Sequence, residues 1–309
     1  MTRRVAAIDC GTNSIRLLVA DDDGDRLTDV VRRMEIVRLG AGVDRTGHLS
    51  DEALVRTFAA LDDYVAQIRG LHVDRVRMVA TSATRDANNR QTFVDGVVQR
   101  LGIAPEVVSG EEEAALSFDG ATRELRGSGA FAAPYLVCDI GGGSTEFVLG
   151  DDSGPTAAQS VDVGCVRLTE RHLADDPPTA QQVEAARADI VAAIASLAST
   201  VAIGSARTLV GLAGSVTTVV ALALDLPAYD PVRIHHARVT AADVHAVTGR
   251  LLTMTRAARS SLPVMHPGRV DVIGAGALVL DTIMRECHFE DVVASEHDIL
   301  DGIALSMEA

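Results

Sequence analysis

A six-residue pattern, Asp-x-Gly-x-x-Ser, occurs twice in this chain, and each copy interrupts a pair of largely apolar runs. The first is Asp9-Cys10-Gly11-Thr12-Asn13-Ser14, between residues 5–8 and 15–19; the second is Asp139-Ile140-Gly141-Gly142-Gly143-Ser144, followed by Thr145 and Glu146, between residues 135–138 and 147–149. An apolar run, a short turn and another apolar run predict a strand, a tight turn and a returning strand. Glycine at the turn lets backbone N–H groups converge on a small volume, because no Cβ keeps chain or ligand away, and such a volume suits a phosphate. Asp139 and Glu146 at the two ends would repel a bare phosphate, but they make sense with a hard divalent cation between carboxylate and phosphate oxygens. The bland alternative for one copy is an ordinary hairpin with a flexible tip. Two copies that keep their apolar flanks instead imply duplication: two similar domains whose turns face each other across a cleft.

The length of 309 residues fits that reading, being enough for two domains of roughly 150 each. With 47% hydrophobic and 23% charged residues the composition is that of an ordinary globular protein. No stretch approaches the length of a membrane span, and residues 1–4 lead directly into a strand, so a cytoplasmic protein is expected. Cys10, Cys138, Cys165 and Cys287 form no Cys-x-x-Cys pair, which predicts reduced thiols and neither a zinc nor a disulfide framework. The formal net charge of −15 argues against a general nucleic-acid binder, yet screening lets a few local arginines hold a polyanion despite a distant acidic surface. All the basic side chains except histidine are arginine, a type whose planar fork suits bidentate phosphate contacts, although base composition of the genome also accounts for the bias.

Residues 21–25, Asp-Asp-Asp-Gly-Asp, read as a solvated turn, and residues 50–70 as a helix with Leu54, Phe58, Leu61, Val65 and Ile68 on one face, capped by Ser50. Residues 76–80 read as a buried strand ending at a polar run, 81–89, where α/β sheets place ligand contacts. Arg85 lies in that run; a salt bridge to Asp86 or simple exposure explains it equally well from local sequence. Ser109 and Glu112 form a capping box, which accounts for Glu111 and Glu112 without chemistry; position favours the same structural reading for Glu113, although a carboxylate there is also placed to act as a base. Residues 126–129 break the pattern and mark a domain boundary. In the second half, Thr179 and Gln182 cap a long helix, residues 208–218 read as a strand, a glycine–serine turn and a helix whose start suits an anion, and 298–306 as a terminal helix. His235 and His236 are adjacent, point in different directions and are read as structural. P-loop, hydrolase-elbow and zincin patterns are absent.

Residues 9–14, 81–89, 109–114, 139–146 and 211–218, in that order, resemble the exopolyphosphatase/guanosine-pentaphosphate phosphohydrolase family, a branch of the actin-like superfamily. The resemblance implies an α/β fold of two actin-like (ribonuclease H-like) domains with an interdomain active-site cleft, one over residues 1–125, to which a C-terminal helix of about 296–309 packs back, and one over 126–309. It implies metal-dependent removal of the terminal phosphate of inorganic polyphosphate, with guanosine pentaphosphate as the alternative substrate and a nucleotide sensor without turnover as an alternative of another class. By motif, Glu113 becomes the catalytic glutamate, reversing its local reading, and Glu146 joins it in ordering the attacking water. Asp139, Glu146 and Asp9 hold Mg²⁺, or Mn²⁺, with a monovalent cation such as K⁺ alongside. Arg85, Gly11, Thr12, Asn13, Ser14, Gly141, Gly142, Gly143, Ser144, Thr145, Gly214 and Ser215 bind phosphate. The family also implies a homodimer that binds neither nucleic acid nor membrane. Two departures stand out: the chain ends soon after the second domain, without the C-terminal helical domain of long members, so weak processivity is expected; and its third motif reads Gly211-Leu212-Ala213-Gly214-Ser215 where many members carry threonine and glycine.

Overall fold

The computed structural model describes residues 2–24, 26–126 and 129–307. Contacts divide the chain into Met1–Gly120 with Ile299–Ala309, and Ala121–Asp298. The division falls in the last turns of the helix Gly110–Thr122 rather than at 125/126; of the pattern-breaking residues 126–129, Gly127 and Ser128 lie outside the described residues, as do Asp25 and residues 308–309.

In the first unit, β1 (Arg3–Cys10), β2 (Ser14–Asp22) and β3 (Leu27–Ile36) form an antiparallel meander, and β4 (Arg75–Ala80) and β5 (Glu106–Val107) extend it in parallel on the other side of β1, giving the order β3-β2-β1-β4-β5. The second unit repeats this plan. Its β6 (Tyr135–Ile140), β7 (Thr145–Asp151) and β8 (Gly154–Val161) are the meander, with β9 (Thr208–Leu212) and β11 (Asp291–Ala294) parallel to β6 and β10 (Arg238–Thr240) added antiparallel at the edge. Each unit is therefore an actin-like α/β layer structure, and the duplication seen in the two turns extends to whole sheets.

Both faces of β1 are buried, as a central strand with helices on either side requires. Ala6, Ile8 and Cys10 join the helix Asp51–Gly70 through Leu54, Leu61, Val65 and Ile68, and Ser50 caps that helix by accepting from the Ala53 N–H. Val5 and Ala7 point the other way and pack with Ile299, Ile303 and Ala304 of the terminal helix Ile299–Leu305. Arg32 of β3 secures that helix by ion-pairing with the buried Asp301 at 2.5 Å. The acidic run near residue 22 is the expected solvated turn only at Asp23 and Gly24, which are exposed; Asp21 and Asp22 belong to β2, Asp21 takes two hydrogen bonds from Arg4, and Asp22 is buried with its Oδ1 accepting the Gly24 N–H. In the second unit a single core joins Leu136, Cys138, Phe147 and Leu209 to the helices Ala180–Ser196 and Ile273–Glu286. Among the described residues all four cysteines are free, and no helix is long and apolar enough to cross a membrane.

The terminal helix approaches the helix Gly110–Thr122 so closely that a Cβ on Gly302 would stand 1.9 Å from the Leu116 carbonyl oxygen. Neither partner there is a flexible side-chain end, so Gly302→Ala forces the helices apart and should cost about 1–3 kcal/mol, the usual range for overpacking. Urea unfolding checks this, and an unshifted midpoint would contradict the packing.

Candidate active site

The motif residues of each unit gather at the carboxyl ends of its parallel strands, the edge at which α/β sheets bind ligands. In the first unit these ends are the β1–β2 turn, the helix Ser82–Asp86 after β4, and the start of the helix Gly110–Thr122 after β5. In the second they are the β6–β7 turn, the start of the helix Ala213–Ala223 after β9, and residues 295–298 after β11.

The two turns are built alike. Gly11 N–H donates to the Ser14 carbonyl at 2.9 Å, and Gly141 N–H donates to the Ser144 carbonyl at 3.0 Å. The other carbonyls of each turn are drawn back into the protein by the segment that follows the third strand of the meander. The Thr12 carbonyl accepts from Gly40 N–H, and that of Asn13 from Val37 and Arg38 N–H; the Gly141 carbonyl accepts from Cys165 N–H, that of Gly142 from Val166 and Arg167 N–H, and that of Gly143 from Arg167 Nε. In a planar trans peptide the N–H is directed opposite to its carbonyl. The N–H groups of Asn13 and Ser14, and of Gly142, Gly143 and Ser144, are consequently directed away from these anchoring segments, as an anion cradle needs. Gly164 makes the second anchor possible, since a Cβ there would lie 2.4 Å from the Gly142 oxygen.

The cross-strand position that closes each hairpin separates the two turns chemically. Asp9 opposes Arg16, and Oδ2 of Asp9 takes both Nε and Nη2 of that arginine, at 2.9 and 2.6 Å. At the corresponding register Asp139 opposes Glu146. Both are buried, and Glu146 Oε1 accepts the Ser160 hydroxyl at 2.7 Å. Arg16 occupies only Oδ2 of Asp9 and does not exclude a cation at Oδ1, while Asp139 and Glu146 offer a paired set of hard oxygens of the kind Mg²⁺ or Ca²⁺ takes.

Arg85 and Glu113, 28 positions apart, meet at 2.9 Å in the first unit, and the same Arg85 Nη1 also donates to the Val108 carbonyl at 3.0 Å. Both bonds leave from one nitrogen, so neither uses the Nη2–Nε edge. Glu113 is buried, while the carboxylate of its neighbour Glu112 is bound by Arg77 at 2.9 Å and the Glu112 N–H donates to the capping hydroxyl of Ser109 at 3.1 Å, the serine half of the expected capping box. Thr12 Oγ1 lies 2.9 Å from Ser82 Oγ, tying the turn to the helix that carries Arg85. Two buried oxygens nearby, Asn13 Oδ1 and Thr84 Oγ1, have no partner among the described residues; such orphans call for a role beyond packing.

At the third motif Ala213 takes a left-handed φ of 64°, an uncommon conformation for a side-chain-bearing residue, and Ser215 is buried. The Arg269 guanidinium fills the space beside Gly214 that a side chain would occupy and donates to Thr218 Oγ1 at 3.3 Å. Sequence reading missed Arg269 and Arg167. Neither lies in a motif; each reaches its turn from a helix start or short loop distant in sequence, and only the sheet order brings them there.

These features define a two-unit actin-like protein whose strand–turn–strand hairpin is duplicated. The sequence matches the Ppx/GppA phosphatase family over residues 18–309, and the chain belongs to that family. It is 51% identical to a protein named exopolyphosphatase 2 from Mycobacterium tuberculosis, over 98% of each chain, and 31% identical to a bifunctional 3-dehydroquinate synthase/phosphatase of Fusobacterium nucleatum, covering 46% of that protein. Among solved structures it resembles an exopolyphosphatase-like protein at 45% identity and a TM-score of 0.95, covering 99% of this chain and 97% of the other. It also resembles the Aquifex aeolicus family member at 28% identity and a TM-score of 0.81, with the same coverage.

Directly opposed like charges destabilise a strand pair by up to about 1 kcal/mol. Glu146→Gln keeps an oxygen for Ser160 and removes the repulsion, so without divalent ions its melting temperature should rise above that of the wild type. A fall would mean that the opposed carboxylates are not a source of strain.

Proposed function

We propose that this chain is a divalent-metal-dependent exopolyphosphatase, which hydrolyses the terminal phosphoanhydride of inorganic polyphosphate and releases orthophosphate. The observation that carries the reading is the pair of like-built turns, each with its carbonyls bound inward and its N–H groups directed outward. A polyphosphate end offers anionic oxygens on every phosphorus, which two N–H cradles and the half-buried Arg85 suit.

In this reading Glu113 accepts the proton of a water attacking the terminal phosphorus in line, and Arg85 orients that carboxylate through Nη1 while offering its other edge to a phosphate oxygen. The N–H groups of residues 142–144, together with Arg269 beside Gly214, stabilise charge as the bridging bond breaks. Asp139 and Glu146 would hold the ion, Mg²⁺ or Mn²⁺, which when bound supplies positive charge to phosphate oxygens. Asp9 would join them through Oδ1, its Oδ2 being held by Arg16.

Removing a general base typically costs 10²–10⁴-fold. Glu113→Gln should lose phosphate release to that extent with unfolding little changed, and near-normal turnover would remove Glu113 from the role. Short and long polyphosphate, guanosine pentaphosphate and ATP, each with Mg²⁺ and with chelator, settle the substrate. Polyphosphate should give the highest kcat/KM, and chelator should abolish release. A higher kcat/KM for guanosine pentaphosphate would move the assignment to the alarmone.

A further inference from the structure

We propose that Glu124, His235 and His297 form a second cation site, for one zinc-class divalent ion, distinct from the Asp139–Glu146 pair. One ligand atom from each lies within 4.8 Å of the others. Glu124 Oε2 stands 2.9 Å from His235 Nε2 and 3.8 Å from His297 Nδ1. Ligands at about 2.0–2.2 Å around tetrahedral zinc are separated by roughly 3.3–3.5 Å, so small side-chain rotations bring these three atoms onto one ion. Two imidazole nitrogens and one carboxylate make a donor set for Zn²⁺, Co²⁺ or Ni²⁺, whereas Mg²⁺ prefers oxygen alone.

Both histidines have partners behind them, and that of His235 is one the ion would displace. His235 Nδ1 accepts the Glu296 N–H at 3.1 Å, and the Glu296 carboxylate accepts the Tyr229 hydroxyl at 2.6 Å. His297 is fixed by Ser295, whose Oγ accepts its N–H at 3.1 Å and donates to its carbonyl at 2.7 Å. The His236 ring stacks on His235 at 3.7 Å and meets Phe131 edge-on. The two adjacent histidines do not share an ion; His235 finds its co-ligands on residues far away in sequence. With Nδ1 of His235 taken by an N–H, the neutral ring carries its proton on Nε2, facing Glu124. An ion at Nε2 replaces that proton, which moves to Nδ1 as the Glu296 N–H gives up its acceptor. Glu124 lies just after the Gly120/Ala121 division and His297 just before the Asp298/Ile299 division, so the ion would cross-link the two chain segments at which the sequence passes from one unit to the other.

The test titrates Zn²⁺ and Co²⁺ into metal-stripped protein kept in excess Mg²⁺, followed by calorimetry, Co²⁺ absorption and thermal melting. Expected are one ion per chain, the visible bands of low-coordinate Co²⁺, and a melting temperature raised by Zn²⁺. Glu124→Gln and His297→Ala should each weaken binding by at least about tenfold, since even changes to groups behind the ligands cost 10–100-fold. Both variants should keep Mg²⁺-dependent phosphate release, and Asp139→Asn should keep the Zn²⁺ stoichiometry. The proposal is overturned if the double variant binds Zn²⁺ like the wild type, if Asp139→Asn abolishes the bound ion, or if the wild type takes up none at micromolar concentration, in which case the three residues are a proton-bridged ion pair only.

Discussion

The anchoring of turn carbonyls by backbone N–H groups is the constraint from which the candidate site follows. A glycine-rich turn has many conformations, and its amides become a binding surface only when something fixes the direction of each peptide plane. Here residues 37–40 do this for the first turn and residues 164–167 for the second. Both anchors come from the chain that leaves the third strand of the meander, so the strand order of each unit is also what aims its amides. The arrangement forms no part of a hydrophobic core, yet it depends on one. Ile8, Ile15, Cys138 and Phe147 are fully buried beside the turns and hold the hairpin arms that position them.

Duplication supplies the scaffold, and one cross-strand position differentiates it. Asp9 faces an arginine where Asp139 faces a glutamate. The first pair is an ion pair that stabilises its hairpin; the second sets two buried carboxylates at one register. The same backbone thus gives the two turns different electrostatic surroundings, a divergence of the kind expected at functional sites.

The fold was largely legible because its signals are local. Turn glycines, apolar flanks, the Ser50 and Thr179 caps and the stripe on residues 51–70 each act over a few residues, and all of them recur in the structure. The site was legible in part. Position alone favoured a helix-capping role for Glu113, and only contact with Arg85, across 28 positions, separates it from Glu112, which does serve the helix and Arg77. Arg167, Arg269 and His297 carry no pattern at all. Their roles arise where strand ends converge, and convergence is a property of sheet order rather than of any window of sequence. At Asp22 the acidic run failed for the opposite reason: composition indicated solvent, but pairing with β1 and β3 carried that residue into the fold.

The ion pair between Arg85 and Glu113 bears on how such a site can act. A base must be aimed at water without being neutralised by the group that aims it. In the proposed reaction Arg85 would aim Glu113 through one nitrogen, which also donates to the Val108 carbonyl. The carbonyl bond fixes the guanidinium to the strand end, so movement of the carboxylate does not release the arginine. A lysine could not divide its contacts in this way, since its donors radiate from a single atom. In that reading the planar fork would let one side chain support the proton acceptor and still meet an incoming phosphate oxygen, which would give the exclusive use of arginine in the chain a consequence at the site.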